Sequence, residues 1–246
     1  MYGHILAVKP ISRHKSLTRG SLVSRWLAIY YYNKMKPHKL FSKVLNNVMF
    51  WVPKIQKELN YSSDDAFALF RVLSDYQQTY KEDNWKPIAV EKGFSKILYE
   101  DENNLFIYEG RPDLIASTGK EIIVVDHKTR STSFDLYPHN NQVYGYLWAA
   151  QGDTFVYNYL TLTKTPKFNR APFQFSKNQI QAWVDNTIEN LFRLKADIER
   201  KKFPRTLNCR SVYGLCEYAP ICEQPTEAVK LHILNSSYVK KKYRSW

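Results

Sequence analysis

Acidic residues are almost missing from the first 60 residues of this 246-residue chain: Glu58 stands alone against eleven Lys and Arg, giving that stretch +10 of the formal net charge of +13. No apolar run reaches the roughly 18 residues needed to cross a bilayer, because Lys, Arg, Asn or Asp interrupts each candidate. A membrane-spanning protein is therefore not expected. Lys9, Arg13, Lys15 and Arg19 occupy the positions a secretory apolar block would need, so the expected compartment is intracellular. Residues 1–27 hold Arg and Ser but no acid, which also suits a mitochondrial transit peptide as the alternative. With 8 glycines and 11 prolines the chain is neither collagen-like nor of low complexity, and 44% apolar residues supply a core. Three cysteines, odd in number and confined to one stretch, argue against a disulfide framework.

The charge asymmetry suits a surface that faces a polyanion, although a solvated face would read the same way. Trp26, Tyr30, Tyr31, Tyr32, Phe41, Phe50 and Trp51 interleave with that charge, as stacking platforms for single strands or as core residues of helices. Helical spacing predicts helices over 20–33, over Val44 to Leu59 with a break or kink at Pro53, and over Ala66 to Tyr80. After Pro87 the pattern changes to short strands: Ala89 to Tyr99, Leu105 to Glu109, Asp113 to Ala116 and Glu121 to His127. A helix over Asn141 to Ala150 and a strand over Thr154 to Leu162 follow. A long helix then opens at a Ser176/Gln179 capping box and carries Ile180, Val184, Ile188 and Leu191 on one face. This order predicts a mixed α/β (α+β) fold, a central sheet flanked by helices. It divides a single domain into a basic helical segment (1–85), a core (86–203) and a cysteine-bearing segment with a basic tail (204–246).

The chemistry concentrates between Glu109 and Thr129. Alternate residues of a strand share a face, so Asp126 and Lys128 point to one side after the apolar run Ile122 to Val125. A hairpin turning about Gly119 and Lys120 places Asp113 opposite Asp126, at roughly 5 Å. Two carboxylates at the edge of an apolar sheet repel each other and are costly to desolvate, and a hard cation such as Mg²⁺ or Mn²⁺ resolves that conflict. Such a cation with a nearby lysine suits phosphodiester hydrolysis. The same spacing also suits an Asp–Lys ion pair that merely closes a hairpin.

Pro112-Asp113, a gap of twelve residues and Asp126-His127-Lys128 resemble the signature of the PD-(D/E)xK nuclease superfamily. Gln142-Val143-Tyr144-Gly145-Tyr146 is similar to the Gln-x-x-x-Tyr motif of its RecB-like branch, and Glu91 to the acidic position on the first core strand. The resemblance implies a restriction-endonuclease-like core and a metal-dependent DNA nuclease, an exonuclease on single-stranded ends before an endonuclease. It implies Asp113, Asp126 and the His127 carbonyl as metal ligands and Lys128 as the catalytic lysine, with Glu91, Gln142 and Tyr146 assisting. Arg19, Arg25, Arg111 and Arg130 are the candidate nucleic-acid contacts, DNA the partner, and a helicase or recombination protein a further one. A binding module that has lost turnover is the alternative.

Two features depart from the pattern. Gly20-Ser21-Leu22-Val23-Ser24 aligns with the branch's Gly-x-x-x-His motif, so Ser24 stands where a histidine ligand is usual; His14 and His38 lie nearby in the sequence. Cys209, Cys216 and Cys222 resemble the C-terminal cysteines of [4Fe-4S]-bearing members, whose fourth cysteine lies towards the N-terminus and has no counterpart here. A late start, a lost cluster, a ligand from elsewhere, or a zinc site completed by His232 all fit this arrangement.

Overall fold

In the computed structural model, residues 8–10, 15–130, 138–163, 165–202, 210–211 and 214–240 are described. They fall into two compact units, residues 15–190 and residues 1–14 with 191–246. In chain order the elements begin with β1 (Val8–Pro10), α1 (Lys15–Met35), α2 (Lys39–Leu45), α3 (Val48–Leu59) and α4 (Ser63–Thr79). Next come β2 (Lys86–Val90), β3 (Phe94–Glu100), β4 (Leu105–Gly110), β5 (Leu114–Ser117) and β6 (Ile122–Arg130). The series continues with α5 (Asn141–Ala150), β7 (Thr154–Thr161), β8 (Lys167–Gln174) and α6 (Lys177–Glu199). It ends with β9 (Arg210–Ser211), β10 (Gly214–Leu215), α7 (Ala219–Cys222), α8 (Glu227–Ser237) and β11 (Tyr238–Lys240).

The larger unit is built on a five-stranded sheet of order β2-β5-β6-β7-β8. Only β6 and β7 run parallel, and α5 is the crossover that a parallel pair requires. The two-residue strand period sorts side chains between two cores. Leu114, Ala116, Ile123, Val125, Val156 and Leu160 pack with Leu22, Trp26, Ile55 and Leu73 from the first four helices. Val124, Phe155 and Tyr157 pack instead with Val143 and Leu147 of α5. The result is the expected mixed α/β architecture, with helices on both faces of a mixed sheet.

Helix α1 docks by a broad stripe: Leu22, Val23, Trp26, Leu27, Tyr30 and Tyr31 are all buried. Each large apolar side chain so buried contributes about 1.5–3 kcal/mol. Trp26, Tyr30, Tyr31 and Trp51 are therefore packing residues and not stacking platforms, while Tyr32 and Phe50 keep 38% and 43% of their surface. The helix expected from Val44 to Leu59 breaks at Asn46 and Asn47, not at Pro53: Asn47 caps α3, its side chain accepting from Phe50 N–H at 3.1 Å, and Pro53 lies inside that helix. The single strand expected over Ala89 to Tyr99 is two, separated by a bend at Glu91, whose φ is 47°. Strand β8 escaped the sequence pattern because Pro172 interrupts it; it lies at the sheet edge, where a missing N–H is tolerated. The capping box forms, with Gln179 N–H donating to Ser176 Oγ at 3.2 Å and Ser176 N–H to Gln179 Oε1 at 2.8 Å.

In the smaller unit, β1 pairs with β11 and β9 with β10, both antiparallel, and Ile221 and Tyr238 are buried between short elements.

Candidate active site

One face of strand β6 packs against the first helices throughout, and the other passes from packing at Val124 to chemistry at Asp126 and Lys128. Val124 belongs to the α5 core, so Asp126 and Lys128 share the α5 side by strand alternation. Asp126 is only 4% exposed, and Lys128 Nζ lies 2.6 Å from its Oδ2. Lys128 Nζ also stands 5.9 Å from the centroid of the Tyr157 ring on the neighbouring strand. Asp113 directly precedes β5, one step beyond the Leu114↔Val125 pair that ends the β5–β6 ladder. There its Oδ2 accepts the His127 backbone N–H at 2.7 Å, a donor on β6 beyond the end of that ladder.

Glu91, Gln142 and Tyr146 converge on the same place. Glu91 donates its backbone N–H to the Asp113 carbonyl at 3.0 Å, and its Oε2 lies 3.1 Å from Arg111 Nε. Its left-handed φ of 47° is a strained conformation for a non-glycine residue, of a kind that persists only where the surroundings hold it. Gln142 Nε2 donates to Asp126 Oδ1 at 3.2 Å. One helical turn on, Tyr146 Oη donates to the Arg111 carbonyl at 3.1 Å, so it steadies the turn that delivers Asp113. Gln142 touches an acid; Tyr146 positions its loop.

Burial dominates the electrostatics. It raises the carboxyl of Asp113 above its ordinary value, against the opposing pull of the His127 N–H, Lys128 and Arg111. It raises that of Asp126 as well, where Lys128 opposes and Asp113 reinforces the shift. Glu91 is raised by burial and by Asp113, with Arg111 opposing. Burial alone would lower the Lys128 ammonium, but Asp126, Tyr157 and Asp113 together outweigh it and the net shift is upward. Three carboxyls thus resist ionisation around one lysine that holds its proton.

That balance suits a divalent cation. Asp126 Oδ2 is buried, and although Lys128 lies beside it, it receives no well-aligned hydrogen bond. Among the described residues no three His, Cys, Asp or Glu side chains form a ready cage. The donors at hand are two aspartates with Glu91 in electrostatic range, which fits a hard cation such as Mg²⁺ that keeps several waters. The His127 ring points to the opposite face, where burial pushes its pKa down to about 3.

Other expected residues lie apart from this cluster. Arg25 is ion-paired to Glu58. Arg19 lines a hollow with Tyr61, Asp65, Leu69, Leu162 and Thr163, beside the end of β7. Arg130 closes β6, its side chain outside the described part of the structure, as are Cys209 and His14. Ser24 is half-buried in α1. His38 caps α2, its Nδ1 accepting from Leu40 N–H at 3.2 Å. Cys216 and Cys222 are free thiols, and no iron–sulfur or zinc site is seen among the described residues.

Sequence reasoning missed the groups behind His127, namely Tyr31, Tyr76, Asp83, Asn158 and Arg170. A lone Asn158 amid the apolar run Phe155 to Leu160 was the signal that could have found them.

The sequence profile of the PD-(D/E)XK nuclease superfamily matches residues 1–223. Among solved structures, the chain is similar to a Eubacterium rectale protein described as a candidate exonuclease, at 13% identity and a TM-score of 0.43, over 89% of this chain and 80% of that one. It is also similar to the protein SSO0001, at 16% identity and a TM-score of 0.36, over 70% of this chain and 80% of the other. No curated protein matches it by sequence. No helix of the described residues is long and apolar enough to cross a membrane.

Proposed function

Since the chain belongs to the PD-(D/E)XK nuclease superfamily, we propose that it hydrolyses DNA phosphodiester bonds with Mg²⁺ or Mn²⁺, as an exonuclease acting on single-stranded ends. The observation that carries this reading is the meeting of Asp113, Asp126 and Lys128 on the central strands of the sheet, where β5 begins beside β6, with Gln142 bonded to Asp126. Asp113 and Asp126 would hold the cation, with the His127 carbonyl and Glu91 as further oxygen donors. When bound, the cation supplies charge neutralisation at the phosphate and a more acidic water. Lys128, kept protonated by its acidic neighbours, offers a positive charge to the anion that develops on the phosphoryl oxygens. Gln142 restricts the rotation of the Asp126 carboxylate, and Tyr146 fixes the turn before Asp113. We place this activity inside the cell.

The test is a gel assay on end-labelled single-stranded DNA with Mn²⁺. Asp126→Ala is expected to abolish turnover, and Lys128→Ala to slow it about 100-fold, as loss of a transition-state donor does. Circular single-stranded DNA should survive; its cleavage would make the enzyme an endonuclease. The second reading is a nucleic-acid-binding module without turnover, favoured by Ser24 standing in the place of the usual histidine. Retained binding with no metal-dependent loss of substrate in the wild type would establish it. For the cysteines, charge-transfer absorption after anaerobic purification, lost in Cys216→Ser, would establish a cluster.

A further inference from the structure

Behind the acids, on the opposite face of the sheet, lies a chain of buried polar groups that the hydrolytic reading leaves unused. Asn158 is fully buried and is the cross-strand partner of His127. Its Nδ2 lies 2.8 Å from His127 Nδ1 and donates to Tyr76 Oη at 2.7 Å. Tyr76 Oη meets Tyr31 Oη at 2.6 Å, and the Tyr31 ring stacks on the His127 imidazole at 5.4 Å between centroids and 9° between planes. Arg170 donates to Tyr31 Oη at 3.0 Å and to Asp83 Oδ2 at 2.6 Å. Its guanidinium lies 3.6 Å and 3.5 Å from the ring centres of Tyr80 and Trp85. Lys34 Nζ completes the cluster, 2.6 Å from Asp83 Oδ1.

Burying this many polar groups costs free energy that apolar residues of similar volume would not incur. What such a network supplies instead is a single geometry. The residue it grips is His127, whose backbone N–H holds Asp113. We propose that Asn158, Tyr76, Tyr31 and Arg170 are positioning residues, which fix the His127 peptide from behind and through its N–H hold the Asp113 carboxylate where the cation binds. The part concerning the cation rests on the nuclease reading; the part concerning Asp113 does not. The network draws on α1, α4, β6, β7 and β8, so the helical layer reaches the acids through hydrogen bonds as well as through packing.

The decisive variant is Asn158→Leu, with Tyr76→Phe, which loses only a hydroxyl, beside it in case the first does not fold. The first readout is the amide resonance and hydrogen exchange of His127 in metal-free protein. Both variants should move that resonance upfield and speed its exchange, while Val125 and Val156 keep their protection. The second is calorimetric titration with Mn²⁺ alone, where the affinity should fall at least 10-fold, the usual effect of removing a group that orients a ligand. Asp113→Ala serves as the reference for complete loss. If the variants melt earlier but leave both the His127 amide and the Mn²⁺ affinity at wild-type values, the network is only a core feature and the proposal falls. If wild-type protein binds no Mn²⁺ while the His127 amide still responds, the nuclease reading fails and the positioning of Asp113 stands.

Discussion

At Asp126, burial favours the protonated carboxyl, Lys128 opposes it and Asp113 adds to it, with an upward shift as the balance. A carboxyl shifted upward binds its proton better in the folded chain than in the unfolded one. Its contribution to stability is therefore full at acid pH and is lost as pH rises from the ordinary value of 3.8 through the raised one. Asp126→Asn should consequently raise the melting temperature of metal-free protein at neutral pH, with the gain fading below about pH 4. Mn²⁺ should raise the melting temperature of the wild type and not of the variant. Thermal melts across pH with and without Mn²⁺ check this, and a variant less stable than wild type at neutral pH would overturn it. Asp113, Asp126 and Lys128 were legible in the sequence because strand alternation fixes which side chains share a face, whereas Glu91 and Gln142 were legible only through their resemblance to the family's motifs. Asn158 and Arg170 were not, because their partners lie on α1, α4, β6 and the segment between α4 and β2, and no local period connects them.

The β3–β4 hairpin projects between Glu91 and Asp113 and is anchored to α5 by close contact. A Cβ placed on Gly145 would stand 2.0 Å from Tyr108 Oη and 2.2 Å from its Cζ, so the ring lies directly against the helix backbone. Tyr108 also meets Trp148 and Trp183 edge-on, at 6.1 Å and 5.5 Å between centroids. Gly145→Ala should cost roughly 1–3 kcal/mol, the usual range for overpacking. Combined with Tyr108→Ala, its effect should shrink, because the clash has gone. Denaturant unfolding of the four proteins in the cycle measures this, and strict additivity would contradict the contact. At this scale the sequence located α1, α3, α4, α5 and α6, since buried stripes and caps are local, but not the short α2 or α7, nor α8, which has no buried residue to give it a stripe. It joined β2 to β3 because the left-handed residue of that bend is Glu91 and not a glycine, and missed β8 because edge strands tolerate a proline that pattern reading treats as a stop.

Eight of the eleven basic residues among the first 60 lie in helices α1 to α3, whose packed side faces the sheet surface opposite Asp126 and Lys128. A bound strand would have to pass round the end of β6 to use it. Arg19, which lines a hollow with Leu162 and Thr163 just past the end of β7, the strand paired with β6, is the arginine offered for that path, whereas Arg25 already has Glu58. Single-strand affinity should fall steeply with salt, and Arg19→Gln should lower the slope of log K against log[salt] by about 0.7, the value for one released counterion. Arg25→Gln should leave the slope unchanged. Fluorescence titration across a salt series decides both, and equal slopes for all three proteins would remove Arg19 from the interface. Charge asymmetry showed in the sequence at once; which face it occupies depends on how the helices wrap the sheet, which no single segment encodes.

The division of labour along β6 has a consequence for any saturation mutagenesis of residues 123–128. Ile123, Val125 and His127 point into the helical core, whereas Asp126 and Lys128 point to the acidic site. From Val125 to Lys128 intolerance should hence alternate in kind, while Val124, buried in the α5 core, should behave like its odd-numbered neighbours. Odd-numbered substitutions should show up as poor soluble yield, and changes at 126 and 128 as well-expressed protein that no longer cuts.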